Sequence, residues 1–260
     1  MKNCRTWGKA PYSVAVIHGG PGAAGEMAPV ACEISRSYGV MEPFQTGHTV
    51  SGQVMELKKA LMDQGDLPVI LIGHSWGAIL SFIVTAKNPA LVRKLILVSS
   101  GVFDDTYSAG IMKTRLNRLS QKDRITMDSL ATKLDDPNEQ EKNRIFAEFG
   151  KIIDIVDSQD PLVDTGEAIE YRYDIFENVW KQAQELRSSG ELVALGSHIF
   201  CPVVAIHGDY DSHPADGVKI PLSRVIQDFR FLLLENCGHR PWLERSAKNR
   251  FYEILNKELD

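Results

Sequence analysis

A chain of 260 residues and 29.0 kDa suits one large domain, or one domain carrying an insertion, better than two independent ones. With 43% hydrophobic and 24% charged residues, its composition excludes wholesale disorder and fibrous repeats. The net charge of −5 and a pI near 5.8 argue against nucleic acid or an anionic membrane surface as the main partner, since both need a basic face.

The first strand expected is Tyr12 to Ile17, ending in the turn His18-Gly19-Gly20-Pro21-Gly22. A helical stretch follows to about Tyr38, then a short apolar piece from Gly39 to Phe44. Val50, Val54, Leu57 and Leu61 form the stripe of an amphipathic helix from Val50 to Met62. Val69 to Ile72 is continuously apolar, as a strand buried on both faces should be. A helix from Trp76 to Lys87 stops at Asn88-Pro89. Leu95 to Val98, Val203 to Ile206 and Phe231 to Leu234 read as further buried strands, with a last helix from about Pro241 to Leu255. Apolar strands alternating with helices imply an α/β fold: a mostly parallel sheet covered on both faces.

No apolar run approaches the roughly 18 residues of a membrane span, and the first ten residues lack the apolar core of a signal peptide. Cys4, Cys32, Cys201 and Cys237 form no Cys-x-x-Cys pair, which suits a reducing cytoplasm without a disulfide frame or structural zinc. The expectation is a cytoplasmic protein with no membrane partner.

Residues 103–196 break the rhythm of the chain, being rich in charge and helix formers with no convincing strand. They hold 19 Asp and Glu against 12 Lys and Arg, whereas the rest of the chain holds 15 against 17. Two readings follow: a solvated face of surface helices, or a lid whose field favours a cationic substrate group.

Gly73-His74-Ser75-Trp76-Gly77 matches Gly-x-Ser-x-Gly, and its place between a buried strand and a helix is that of a nucleophile elbow. The sharp turn lifts Ser75 above the sheet and aims a helix N-terminus at it, where developing negative charge is favoured. The glycine-rich turn after the first strand lacks both a following Gly-Lys-Ser/Thr and the spacing Gly-x-Gly-x-x-Gly, so nucleotide binding is set aside. Backbone N–H groups of Gly20 and Trp76 are the expected oxyanion hole. His18 is expected to brace its loop.

A serine needs a base, and the base needs a third group to hold its tautomer. Two strands end in His207-Gly208-Asp209-Tyr210-Asp211 and in Glu235-Asn236-Cys237-Gly238-His239, at the carboxyl edge where such sheets bind ligands. The catalytic set expected is Ser75, His239 and Asp211. Asp209 competes for the acid role, but Asp211 lies further into the loop that must reach His239. Asp209, Asp211 and His213 lack a second ligand group with matching spacing, so neither metal nor cofactor is expected.

With these motifs placed, the chain resembles the α/β-hydrolase superfamily along nearly its whole length, and its His-Gly-Gly-Pro-Gly and Gly-His-Ser-Trp-Gly motifs are most similar to the prolyl iminopeptidase branch. The resemblance implies a core of residues 1–102 and 197–260 with a helical cap inserted at 103–196. It also implies the Gly-x-x-Asp turn at Gly208 to Asp211 and the Cys-Gly-His-x-Pro-x-x-Glu tail from Cys237 to Glu244. The leading antiparallel hairpin looks truncated or absent, and Met41 to Gly47 departs from the branch's Asp-x-Arg-Gly-x-Gly-x-Ser loop. Cap carboxylates read a free amino group in that branch; the candidates here are Glu167, Glu170, Asp174 and Glu177.

The function expected is acyl transfer on a small ester or amide, with aminopeptidase and carboxylesterase as rival activities. Thioesterase or carbon–carbon bond hydrolysis stays open, as does a catalytically silent small-molecule binder. Dehalogenase and epoxide hydrolase chemistry need an Asp where Ser75 stands.

Overall fold

The computed structural model describes residues 3–163 and 169–260. In chain order the strands are β1 (Cys4–Trp7), β2 (Tyr12–Ile17), β3 (Ala23–Ala24), β4 (Gly39–Pro43), β5 (Val69–His74), β6 (Val92–Val98), β7 (Glu170–Tyr171), β8 (Val203–Gly208) and β9 (Phe229–Leu234). The helices are α1 (Ala28–Ile34), α2 (Val50–Gln64), α3 (Trp76–Lys87), α4 (Ala109–Arg118), α5 (Gln121–Asp135), α6 (Lys142–Asp157), α7 (Tyr173–Ser188), α8 (Glu191–Ala194), α9 (Asp216–Val225) and α10 (Lys248–Leu259). Among the described residues, one seven-stranded sheet runs β1-β4-β2-β5-β6-β8-β9. Only β1 is antiparallel to its neighbour.

Alternation along the central strands builds two cores. Ala15, Ile17, Leu71, Leu95, Leu97, Val203 and Ala205 join the layer that packs under α2, α3, α7 and α9. Val14, Val16, Ile70, Ile72, Ile96, Val98, Val204 and Ile206 join the layer under α1 and α10. Because successive side chains point to opposite faces, a strand covered on both sides must be apolar throughout. That is why β5 and β8 are buried from end to end. Helix α3 is buried from Trp76 to Ala86, as expected of a helix that is apolar all round.

Four elements differ from expectation. The leading segment does hold a strand: Arg5 and Trp7 of β1 both donate to Oε2 of the buried Glu42, at 2.9 Å each. This edge strand is short and polar, so its sequence carries little strand signal. Strand β9 is an edge, not a fully buried strand, and leaves Leu233 half exposed. Helix α9 was hidden by Gly217 and the internal Pro221, both unfavourable in a helix interior. The last helix starts at Lys248, after a separate short turn at Pro241–Leu243.

Between β6 and β8 the chain carries α4 to α8 and the two-residue β7. Leu130, Leu134, Ile145, Phe146 and Tyr173 form a small core of their own, and α7 adds Ile175, Val179 and Ala183 to the main core. Strand β7 pairs antiparallel with β3, Ala23 opposite Tyr171, and Arg172 N–H donates to the Gly22 carbonyl. The segment is thereby tied to the glycine-rich turn. No described helix is long and apolar enough to cross a membrane.

Candidate active site

Ser75 stands alone between β5 and α3, at φ 52° and ψ −116°. Positive φ is uncommon for a residue other than glycine, and such strain persists where the surroundings over-determine it. Here the surroundings are close. A Cβ at Gly73 would lie 2.2 Å from the Gly77 carbonyl oxygen, so no larger residue fits the turn. The Ser75 amide is held by the Val98 carbonyl at 3.0 Å. The serine side chain is thus presented to a cavity of about 580 Å³, which Gly20, Trp76, His213 and His239 also line.

Both residues expected to form the oxyanion hole are on this cavity. Trp76 is the first residue of α3, where an amide has no intrahelical acceptor. Gly20 adopts φ 105°, and a Cβ there would sit 2.7 Å from the Gly22 nitrogen. His18 is buried off the cavity. Its Nδ1 lies 2.8 Å from the Gly19 carbonyl and its Nε2 accepts from Gln45 N–H, so it braces the turn.

The carboxylate that reaches His239 is that of Asp211, whose Oδ2 lies 2.7 Å from Nδ1 of the imidazole. Asp209 instead accepts from the Cys237 amide at 3.1 Å, joining the two loops. Burial opposes charge on Asp211, but the imidazoles of His239, His213 and His207 hold its carboxyl well below the usual range. Burial also opposes charge on His239. Asp211, its hydrogen bond and Asp157 outweigh that and raise the imidazole above its ordinary value.

The His239 loop is held from several sides. Its amide donates to the Asp157 carbonyl at 2.8 Å, and its carbonyl lies 3.0 Å from His74 Nε2. His74 Nδ1 lies 3.0 Å from Glu26 Oε2, which also accepts from the Gly19 amide. Burial disfavours charge on Glu26, yet His74 beside it pulls its carboxyl down to about 2. The buried Glu244 accepts from the amides of Gly238, Gln159 and Asp160, and so binds the end of α6 to the His239 loop.

The residues expected to read a substrate amine lie elsewhere. Glu170 is exposed on β7 and Glu177 is exposed on α7. Asp174 pairs with Arg172 at 2.9 Å, and none of the three lines the cavity. Glu167 lies outside the described residues. Among the described residues, the carboxylates that line the cavity are Glu26, Asp135, Asp154 and Asp157. Arg115 makes a bidentate pair with Asp157, Nε to Oδ1 and Nη2 to Oδ2, and Arg240 reaches Asp154 at 3.1 Å. Much of the remaining wall is aromatic, from Phe146, Phe149, Tyr171, Tyr173, Phe176 and Trp180.

Among the described residues, Asp211, His213 and His239 bring candidate metal-ligand atoms within 4.8 Å of one another. In both imidazoles Nδ1 is already engaged with the carboxylate, so the cluster is organised as a hydrogen-bonded set.

The model of the Alpha/beta hydrolase family matches residues 16–249, nearly the whole of this sheet and site. The chain belongs to the alpha/beta hydrolase family. No curated protein matches it in sequence. Among solved structures, this family member is similar to VinJ, with a TM-score of 0.70 at 19% identity over 98% of this chain and 93% of that one. It is similar also to a proline iminopeptidase of Mycobacterium smegmatis, at 0.64 and 17% over 98% and 93%. A thioesterase domain from the curacin biosynthetic pathway gives 0.62 and 15% over 98% and 94%. At such identities the likeness is one of fold.

Three groups at the site of this hydrolase-family chain were not singled out for it in the sequence. Glu26 lies just after the glycine-rich turn, His74 is the variable residue of the elbow motif, and His213 follows Asp211 by two positions. Only the Asp-x-His spacing carries a signal, and it is that of a metal motif.

Proposed function

We propose that this chain is a serine hydrolase acting by acyl transfer on small esters, thioesters or amides. The observation that carries the reading is a strained Ser75 facing the same cavity as His239, whose Nδ1 is held by the buried Asp211. Ser75 Oγ attacks the substrate carbonyl carbon while His239 Nε2 takes the hydroxyl proton. The oxyanion accepts from the Gly20 and Trp76 amides. His239 returns the proton to the leaving alcohol, thiol or amine, and water then repeats the sequence on the acyl-enzyme. Asp211 holds the imidazole with Nδ1 protonated. Residues 103–196 act as a cap that walls the pocket and keeps bulk water from the acyl-enzyme.

The aromatic wall favours substrates with an apolar or aromatic group beside the scissile carbonyl. An aminopeptidase of prolyl iminopeptidase type is the second reading, favoured by Glu26 facing the cavity.

The test is labelling by a fluorophosphonate, which reacts with an activated serine. The protein should label once, on Ser75, and Ser75→Ala should remain folded, fail to label and lose turnover by about 10⁴-fold or more. A folded wild-type protein that fails to label, and turns over no ester or arylamide, would leave a silent binder as the better reading.

A further inference from the structure

Three imidazoles surround one carboxylate in this site. Oδ2 of Asp211 meets His239 Nδ1 at 2.7 Å, with His207 Nε2 standing 3.6 Å away. Oδ1 accepts two hydrogen bonds from His213, one from its backbone amide and one from ring Nδ1, each 2.9 Å long. The His213 carbonyl in turn takes His207 Nε2 at 2.8 Å. The His213 and His239 rings stack, with centroids 4.7 Å apart and planes inclined at 30°.

Counting donors makes the roles definite. An ionised carboxylate only accepts, so His213 must carry its proton on Nδ1. Burial keeps this imidazole neutral, its pKa pushed down to about 4 despite Asp211 beside it. A neutral neighbour is what stacking on His239 requires, because two imidazolium rings at that spacing would repel. His207 is a competing donor for Oδ2, and the His213 carbonyl diverts it.

We infer that His213 is a positioning residue of the hydrolytic site: its ring pins one oxygen of Asp211 and its carbonyl occupies His207, which leaves the other oxygen to His239. This rests on the serine hydrolase reading for its effect on turnover, though the arrangement itself can be read without any substrate. The groups facing His239 are Asp211 and His213 from the β8–α9 loop, His74 from the elbow, Asp154 and Asp157 from α6, Arg115 from α4, and Glu26 ahead of α1. His207 of β8 acts through Asp211.

The experiment compares His213→Leu, which fills the space without a donor, with His213→Asn, which restores an N–H near Nδ1. A hydrogen bond to a charged group is at stake, so the leucine variant should lose about 10- to 100-fold in kcat and in fluorophosphonate labelling rate. KM should stay within about twofold, since the loss falls on the transition state. The asparagine variant should recover most of both rates, which a purely space-filling role would not produce. In the wild type, nitrogen NMR of the labelled imidazoles should show His213 protonated on Nδ1. The strongly deshielded His239 Nδ1 proton should weaken or shift in the leucine variant and persist in the asparagine one.

An Nε2-protonated His213 would overturn the inference. So would a folded leucine variant with wild-type labelling and an unchanged His239 resonance. If the leucine variant does not fold, the tautomer and the asparagine rates still decide it. A wild type that never labels yet shows the Nδ1 tautomer and deshielded proton would defeat the hydrolase reading alone.

Discussion

Asp211 and His239 lie 28 residues apart in sequence, yet Oδ2 of one stands 2.7 Å from Nδ1 of the other. Each belongs to the loop after its own strand, β8 or β9, and these strands pair in parallel from Val203 opposite Phe229 to Gly208 opposite Leu234. Parallel pairing delivers both loops to one edge of the sheet, the edge that also carries Ser75 after β5. The carboxylate sits at the centre of the couple, with a side chain wholly removed from solvent.

The two carboxylates of the β8 loop should therefore separate cleanly. Asp211→Asn should lower turnover by about 10⁴-fold through the wrong imidazole tautomer. Asp209→Asn offers the Cys237 amide a neutral acceptor in place of a charged one and should cost about 1 kcal/mol of stability with activity largely kept. Steady-state kinetics and urea unfolding of both variants check this; reversed effects would assign the acid to Asp209.

Turnover should depend on pH through the raised His239. Only the neutral imidazole accepts the serine proton, so kcat/KM should rise with pH along a limb centred above the ordinary histidine value of about 6.5. A limb centred below that value would contradict the role given to Asp211.

Stability should also fall toward acid pH, through other groups. His213 is depressed to about 4 when folded, so below an unfolded value of about 6.5 the unfolded chain binds the extra proton. Its contribution is fully present above that value and is lost as pH falls toward 4. Asp211, also depressed, adds a further loss in stronger acid. The raised His239 adds stability only as pH falls to about 6.5. Urea midpoints should therefore fall between about pH 6.5 and 4.5, and a flat profile there would refute a neutral His213.

Glu244 ties three amides together across two segments: Gln159 and Asp160 at the end of α6, and Gly238 beside His239. Replacing it with Ala leaves these donors without their carboxylate and should cost about 3 kcal/mol or more. Denaturant unfolding measures the loss, and labelling of Ser75 should slow in parallel because the His239 loop loosens. Stability within about 0.5 kcal/mol of wild type would show that solvent replaces the carboxylate at no cost.

The charge preference of the pocket is open to a direct comparison. Asp157 and Asp154 already face arginines and Glu26 faces His74, so a substrate ammonium gains little there. Aminoacyl arylamides with free and acetylated amino groups should turn over within about threefold of each other. A tenfold or larger preference for the free amine, falling in Glu26→Gln, would instead establish the aminopeptidase.

Local pattern made the frame of this protein readable. The apolar runs of β5, β6 and β8 require cover on both faces whatever surrounds them, and a glycine-flanked serine between strand and helix admits one kind of turn. Ser75, the Asp209–Asp211 loop and His239 follow at one sheet edge because parallel strands share a direction. Tertiary structure decided what depends on chains meeting from a distance. It made β1 a strand through Glu42, buried α9 despite Gly217 and Pro221, and turned Asp211 rather than Asp209 toward His239. It also set Glu26, Asp154 and Asp157 around the cavity while Glu170, Asp174 and Glu177 lie off it. The role of His213 is of this second kind: nothing in Asp-x-His says which oxygen a ring will hold, because that is set by where a second loop brings its own imidazole.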